Sequence, residues 1–367
     1  MAVLIALDRL EELWPRDLKN VRVGALLHPA SVSSQLLHAE SILERLDGRL
    51  FKLCALFGPQ HGYLGQTQDN MIEWGSYKHP RLGIPVHSLY GEHREPTPEM
   101  LRDLDVLFVD LQDVGARYYT FIWTLYLCMR ACEGAGVRVV VCDRPNPING
   151  VMTEGPVLDP VFRSFVGMHP LPVRHARTIG ELAELFRAGA FRRCALDILP
   201  MENWQREMWW DDTGLPWVMP SPNMPTLDTA TVYPGMCLLE ATNISEGRGT
   251  TRPFELFGAP WIRGDHFAGA LNELELPGVF FRETYFEPTF QKYVGELCQG
   301  AQLHVIRRDV FQPYRTGVAI IDHARKQYPE HFRWKKPPYE YEHHHLPIEI
   351  LTGASLEKTF PSIAKTN

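Results

Sequence analysis

Asp110, Asp113, Asp143, Glu154, Glu240 and Glu246 lie in short polar clusters that also hold Arg117, Arg144 and Arg248, several side-chain amides and aromatic rings. This is the mixture a sugar site requires. Hydroxyls need paired hydrogen-bonding groups, pyranose faces pack on rings, and glycosidic cleavage needs an acid to protonate the leaving oxygen. The neighbouring arginines have two uses, since each can depress a carboxyl pKa by ion pairing or grip a carboxylate on a ligand. The same pairs would equally serve as salt-bridged loop anchors, and the chain alone leaves both readings open.

Other chemistries find less support. There is no C-x2-C pair and no H-E-x-x-H helix, and Cys128 and Cys132 lack a matching second pair. The run His343, His344, His345 follows two prolines on a polar segment and reads as a solvated loop. Neither G-x-G-x-x-G nor G-x4-G-K-[ST] opens a helix, and Gln60, His61 and Tyr63 put side chains where a pyrophosphate needs bare backbone. No metal and no cofactor is therefore expected.

The elements that would position these residues are α/β units. Val21–Leu27, Phe51–Phe57, Asp105–Leu111, Val137–Cys142 and Leu196–Leu199 read as strands, and Asp105–Leu111 is apolar enough to be covered on both faces. Ser33–Leu46 and Tyr118–Gly134 read as helices between them, and Thr178 with Glu181 forms a capping box ahead of a third. The pattern predicts a Rossmann-like, mostly parallel sheet over residues 1–218 and a smaller α/β domain over 219–367. GPQHGYLG, QDVGARYY and DRPNPING follow the carboxyl ends of successive strands, the edge where open α/β sheets bind ligands. PSPNMPTLDTATVYPG is too rich in proline to continue a helix or a central strand and reads as the passage between domains. Beyond it, Gly264–Glu273 reads as a helix, and Leu303–Arg307 and Gly317–Ile321 as short strands.

Composition bounds the setting. With 367 residues, 45% hydrophobic and 22% charged, the chain can build a large core, and two units are expected. A net charge of -7 offers no basic field for nucleic acid. The N-terminal apolar stretch is cut at Asp8 with no cationic lead, and no run of 18 apolar residues occurs, so neither an export signal nor a membrane partner is expected, and the cytosol is the default setting. Seven cysteines, odd in number and mostly inside apolar runs, fit reduced buried thiols.

From about residue 20 to 352 the chain resembles the NamZ-type exo-β-N-acetylmuramidases, a glycoside hydrolase family long filed as a domain of unknown function. The resemblance rests on FGPQHGYLG (57–65), SLYG (88–91), DLQDVGARYYTF (110–121), DRPNPING (143–150), EGP (154–156), PSPNMPTLDTATVYPG (220–235), EATNISEGRGTTRPFELFGAPW (240–261) and PPYEYE (337–342), in that order. It implies a Rossmann-like domain, a smaller C-terminal α/β domain and a cleft between them. It also implies removal of terminal N-acetylmuramic acid from small peptidoglycan fragments or muropeptides. These segments mark Gln60, His61, Asp113, Glu154, Glu240 and Glu246 as candidates for catalysis. Arg117, Tyr118, Arg144, Asn146, Asn223, Asn243 and Arg248 become candidates for substrate binding, with Arg248 the first choice for a lactyl carboxylate.

Three positions depart from the family pattern. Gln60 stands where the pattern has a glutamate, and a neutral amide cannot donate that glutamate's proton. Either another carboxylate supplies the acid, or the chain is a retired enzyme that binds sugar without cleaving it. His28 stands where an asparagine is expected at the rim of the cleft, and the sequence ends at Asn367 where relatives continue into a further helical segment.

Overall fold

The computed structural model describes residues 2–69 and 71–361. The chain divides into two compact units. The first holds the described residues within Met1–Gly115, Tyr119–Val151 and Ala176–Pro222, and the second those within Ala116–Tyr118, Met152–His175 and Asn223–Asn367. The end at Asn367 lies outside the described residues.

The first unit is built on seven strands: β1 (Val21–Leu26), β2 (Phe51–Gly58), β3 (Tyr77–Lys78), β4 (Pro85–Ser88), β5 (Val106–Val109), β6 (Arg138–Cys142) and β7 (Leu196–Leu199). Their order is β3-β4-β2-β1-β5-β6-β7, and every pairing is parallel except β3 with β4. The α/β class and the mostly parallel sheet are as expected from sequence. All four residues of β5 are buried, consistent with cover on both faces. The order reverses at β1, because β2 lies on one side of it and β5 on the other. In open α/β sheets such a reversal is where ligands bind, beyond the carboxyl ends of the strands.

Two helices beside the sheet start and stop where local chemistry directs. The Ile179–Gly189 helix opens on Thr178, whose Oγ1 accepts the Glu181 N–H at 3.2 Å while Glu181 accepts the Thr178 N–H at 3.1 Å. The Phe121–Ala135 helix ends on Gly136, in the left-handed conformation at φ 71°. The expected helix over Ser33–Leu46 is shorter than predicted, running only from Ala39 to Leu46. Ser33 Oγ accepts the N–H groups of Gln35 and Leu37, a local turn that competes with helix.

The second unit carries a three-stranded antiparallel sheet of β8 (Leu256–Ala259), β9 (Val279–Phe286) and β10 (Cys298–Val305), in the order β8-β10-β9. The outer edge of β9 is closed near its start, at Phe281. Asn272, at the end of the Gly264–Asn272 helix, accepts the Phe281 N–H at 2.9 Å and donates to the Phe281 carbonyl at 2.8 Å.

Two sequence expectations fail in this unit, for one reason. Gly317–Ile321, read as a strand, lies inside the Pro313–Gln327 helix, and the proline-rich passage contains a helix, Leu227–Met236, with Pro234 within it. Thr226 Oγ1 accepts the Thr229 N–H to start that helix, and every residue from Thr229 to Met236 is buried. Tertiary packing outweighs the lost hydrogen bond at Pro234. The two helices touch backbone to backbone at Gly235 and Gly317, where a Cβ on either would overlap the other helix's main chain. Glycine there marks close packing.

The cysteines are free, and all but Cys54 are buried, as expected. No helix among the described residues is long and apolar enough to cross a membrane.

Candidate functional site

The carboxyl edge of the first unit's sheet gathers residues from four strand ends. His28 follows β1, Gln60 and His61 follow β2, Asp110, Gln112 and Asp113 follow β5, and Asp143 and Arg144 follow β6.

Gln60 is buried between two hydroxyls. Thr120 Oγ1 donates to its Oε1 at 2.6 Å, and its Nε2 donates to the Tyr90 hydroxyl at 3.0 Å. The amide oxygen thus faces Thr120 and its nitrogen faces Tyr90. Neither partner was a candidate from sequence, although both lie in segments that carry the family resemblance, SLYG and DLQDVGARYYTF. His61 occupies a left-handed conformation at φ 71°, uncommon outside glycine. Its Nδ1 lies 2.8 Å from the Thr67 carbonyl, which can only accept, so Nδ1 carries the proton. The loop is tied down from below, because the buried Tyr63 donates to Glu40 at 2.5 Å and Glu40 also binds Arg81 at 2.7 Å and His79 at 3.3 Å.

Asp113 Oδ2 accepts the Gly115 N–H at 2.7 Å, turning the chain immediately after β5. Gly115 holds φ 82° with Asn146 and Ile148 against its Cα, which admits no side chain. Gln112 braces the same turn, its Nε2 donating to the Asp113 and Pro145 carbonyls.

The neighbouring charges are already engaged. Arg144 makes a two-point buried pair with Asp110, Nε to Oδ1 at 2.5 Å and Nη2 to Oδ2 at 2.8 Å, and also reaches the Val32 carbonyl. Burial acts to lower the Arg144 pKa, but Asp110 outweighs it and holds the guanidinium above its ordinary value. Burial pushes the Asp143 carboxyl up to about 6, although it caps the Ile179–Gly189 helix through the Gly180 N–H and the Thr178 hydroxyl. Asn146 bridges the Ile148 N–H and the Arg177 carbonyl. His28, expected at the rim, is fully buried. Its Nδ1 donates to the Pro220 carbonyl at 3.2 Å and its Nε2 accepts the Gln112 N–H at 2.9 Å. Burial drives its pKa down to about 3, so it stays neutral.

The remaining candidates belong to the second unit, which has a charge cluster of its own. Arg248 Nη2 donates to Glu240 Oε1 at 2.8 Å, Arg248 Nε lies 3.5 Å from Glu246, and Lys292 Nζ donates to Glu246 Oε2 at 2.8 Å. Tyr339 donates to Glu240 Oε2 at 2.7 Å, and the guanidinium lies 5.0 Å from the Phe254 ring centre. Burial alone would raise the Glu240 pKa, but Arg248 and Tyr339 outweigh it and hold the carboxyl below its ordinary value. Arg248 Nη1 is buried with no hydrogen-bond partner. The guanidinium is thus shared between two glutamates, with Nη2 making its hydrogen bond and Nε and Nη1 buried without one.

The other polar candidates of this unit act as anchors. Glu154 accepts the Tyr314 and Arg315 N–H groups at the start of the Pro313–Gln327 helix, while burial holds its pKa above the ordinary carboxyl value. Arg117 donates to the Pro156, Leu171 and Leu351 carbonyls, and burial lowers its pKa to about 10. Tyr118 donates to the Pro234 carbonyl, and Asn243 ties down the Arg333 N–H and the His331 carbonyl. Asn223 is buried.

Known proteins resemble this chain in sequence and in fold. The N-terminal model of the exo-β-N-acetylmuramidase NamZ matches residues 23–228, and its C-terminal model matches residues 231–359. The peptidoglycan β-N-acetylmuramidase NamZ of Bacillus subtilis is 47% identical over 333 residues, covering 90% of this chain and 80% of that protein. Two crystal structures of DUF1343 family proteins from Bacteroides fragilis superpose on the fold. One has a TM-score of 0.85 at 31% identity, covering 98% of this chain and 91% of the other, and the second has 0.72 at 26% identity, covering 99% and 94%. With both family models matched in order and nearly half its residues shared with the Bacillus protein, the chain belongs to the exo-β-N-acetylmuramidase NamZ family.

Proposed function

We propose that this chain is a glycosidase that removes terminal N-acetylmuramic acid from peptidoglycan fragments, with its reacting groups at the carboxyl edge of the first unit's sheet. The observation that carries this reading is the 47% identity to a peptidoglycan β-N-acetylmuramidase across 90% of the chain. The geometry supports the same edge, because Gln60, His61 and Asp113 follow β2 and β5, the strands on either side of β1, where the sheet order reverses.

Gln60 binds and orients in this scheme, since an amide has no proton to give. Asp113 is the carboxylate assigned to steady the positive charge that develops at the anomeric carbon. Arg144 and Asn146 act one step back, by fixing the loops that carry these groups.

Incubating the purified chain with N-acetylmuramyl-β-1,4-N-acetylglucosamine and measuring free sugars by mass spectrometry tests the proposal. Release of N-acetylmuramic acid, with no release of the terminal sugar from chains that begin with N-acetylglucosamine, is the expected result. Binding of the disaccharide in a calorimeter without any release would instead favour a retired, sugar-binding protein.

A further inference from the structure

We infer that the second unit carries a binding site for a short extended peptide, at the place where β10 runs on past the end of β8; the inference goes beyond the glycosidase reading and does not depend on it. In an antiparallel ladder the N–H and C=O of successive residues turn to alternate sides. The bonds around β10 fix which side each residue serves. Ile306 donates its N–H to the Gly278 carbonyl at 2.9 Å, on the β9 side, whereas Leu303 donates to the Glu255 carbonyl at 2.8 Å, on the β8 side. Phe281, the β9 partner of Leu303, has both its backbone groups on Asn272 at the far edge of β9, in keeping with that alternation. Val305 stands two residues after Leu303, opposite Val279 and with the register unbroken, so its N–H and C=O also turn to the β8 side.

Among the described residues, no strand pairs with Val305 on that side. β8 begins at Leu256, opposite Gln302. Continued, the register would set Pro253 opposite Val305, but the chain is turned at Phe254, in a left-handed conformation at φ 64°, and proline has no N–H to give. Beside this stretch of β10 lies a pocket of about 240 Å³, which Val305 lines together with apolar Leu303 and, from the Leu227–Met236 helix, Val232. Its charged lining is uneven. Arg252 donates to Glu255 at 3.1 Å, and Glu255 also accepts the Thr229 hydroxyl at 2.7 Å, so that pair is compensated and fixed in the wall. Asp228, exposed in the first turn of the helix, adds a negative charge that the pair does not offset.

One residue of an extended peptide meets these terms. Its N–H and C=O turn to one side together, so it can both accept from Val305 and donate to it, as a strand added to a sheet does. A lone trans amide, such as the acetamido group of an amino sugar, points its N–H and C=O in opposite directions and satisfies only one of the two. A free ammonium at the head of the peptide suits Asp228, and small apolar side chains suit Val232 and Leu303.

The test titrates trialanine into the isotope-labelled full chain and follows the backbone amide resonances by NMR. The expected result is a saturable shift of the Val305 amide, among the largest in the spectrum. N-acetyl-trialanine should bind about two- to fivefold more weakly, the worth of one exposed ion pair. Asp228→Asn, with an unchanged melting temperature, should bring trialanine down to the affinity of the acetylated peptide, and N-acetylglucosamine should leave the Val305 amide where it is. No shift at Val305, or shifts confined to other parts of the chain, would overturn the site. An equal response to N-acetylglucosamine would overturn the peptide class, and equal affinities of the two peptides would overturn the contact with Asp228.

Discussion

Gln60 and His61, at the carboxyl edge of the first unit, and the charge cluster of the second unit are held by opposite means. At the edge, Gln60 is held by hydroxyls and His61 by a carbonyl, so neutral bonds aim both side chains. In the second unit, Glu240 and Glu246 face Arg248 and Lys292, so four full charges compensate one another in a buried setting. A buried, compensated network resists any change of protonation, because altering one charge strands its partner in a medium that cannot solvate it. The difference separates side chains held by neutral ties from a network whose charges lock one another in place.

The largest effect should come from breaking the charged cluster. Arg248→Met leaves two buried carboxylates short of a partner and should cost about 3 to 5 kcal/mol, measured by urea unfolding. A loss below about 1 kcal/mol would be the size of an exposed pair and would erase the contrast. Removing a neutral tie at the sheet edge should cost less. Thr178→Ala deletes the cap of the Ile179–Gly189 helix and should lower stability by about 1 kcal/mol.

Asp143 supplies a pH signature for the same edge. Its folded pKa of about 6 lies above the ordinary aspartate value, so the folded state binds the proton more tightly than the unfolded chain. Its contribution therefore favours folding at low pH and declines as pH rises from about 4 to about 6. Unfolding measured across that window should show a fall that Asp143→Asn removes, and identical pH profiles would contradict the assignment.

The smallest expected change is at Gln60. In Gln60→Glu, the Thr120 and Tyr90 hydroxyls can both donate to a carboxylate and so favour its charged form. At pH 7 the variant should show no gain approaching the roughly 10² to 10⁴ that a general acid contributes. A gain of that size on the disaccharide would mean that position 60 had lost an acid still wanted there.

Much of the first unit was legible because its signals are local. β-branched runs marked the strands, Thr178 and Glu181 marked a helix start, and glycine-rich clusters marked the loops at the carboxyl edge of the sheet. The second unit resisted because its signals are tertiary. Gly317 resembles a strand interior or a turn until the Gly235 backbone is seen against it, and Pro234 ends a helix by every local rule, yet burial keeps it there. The candidate site divided along similar lines. Residue types told which side chains could do chemistry, but not that Arg144 is spent on Asp110, that Glu154 caps a helix, or that Tyr90 and Thr120 clasp Gln60. Those are contacts between segments 30 to 161 residues apart in the chain.

The amide of Asn272 bears on a different matter, the behaviour of the protein at high concentration. An open strand edge invites a second copy to add its own strand, and repetition of that step builds fibrils. By bonding both the N–H and the carbonyl of Phe281, Asn272 fills the first part of that edge with a fragment that imitates a neighbouring strand but cannot be extended. One side chain thereby acts as a chain terminator against self-assembly.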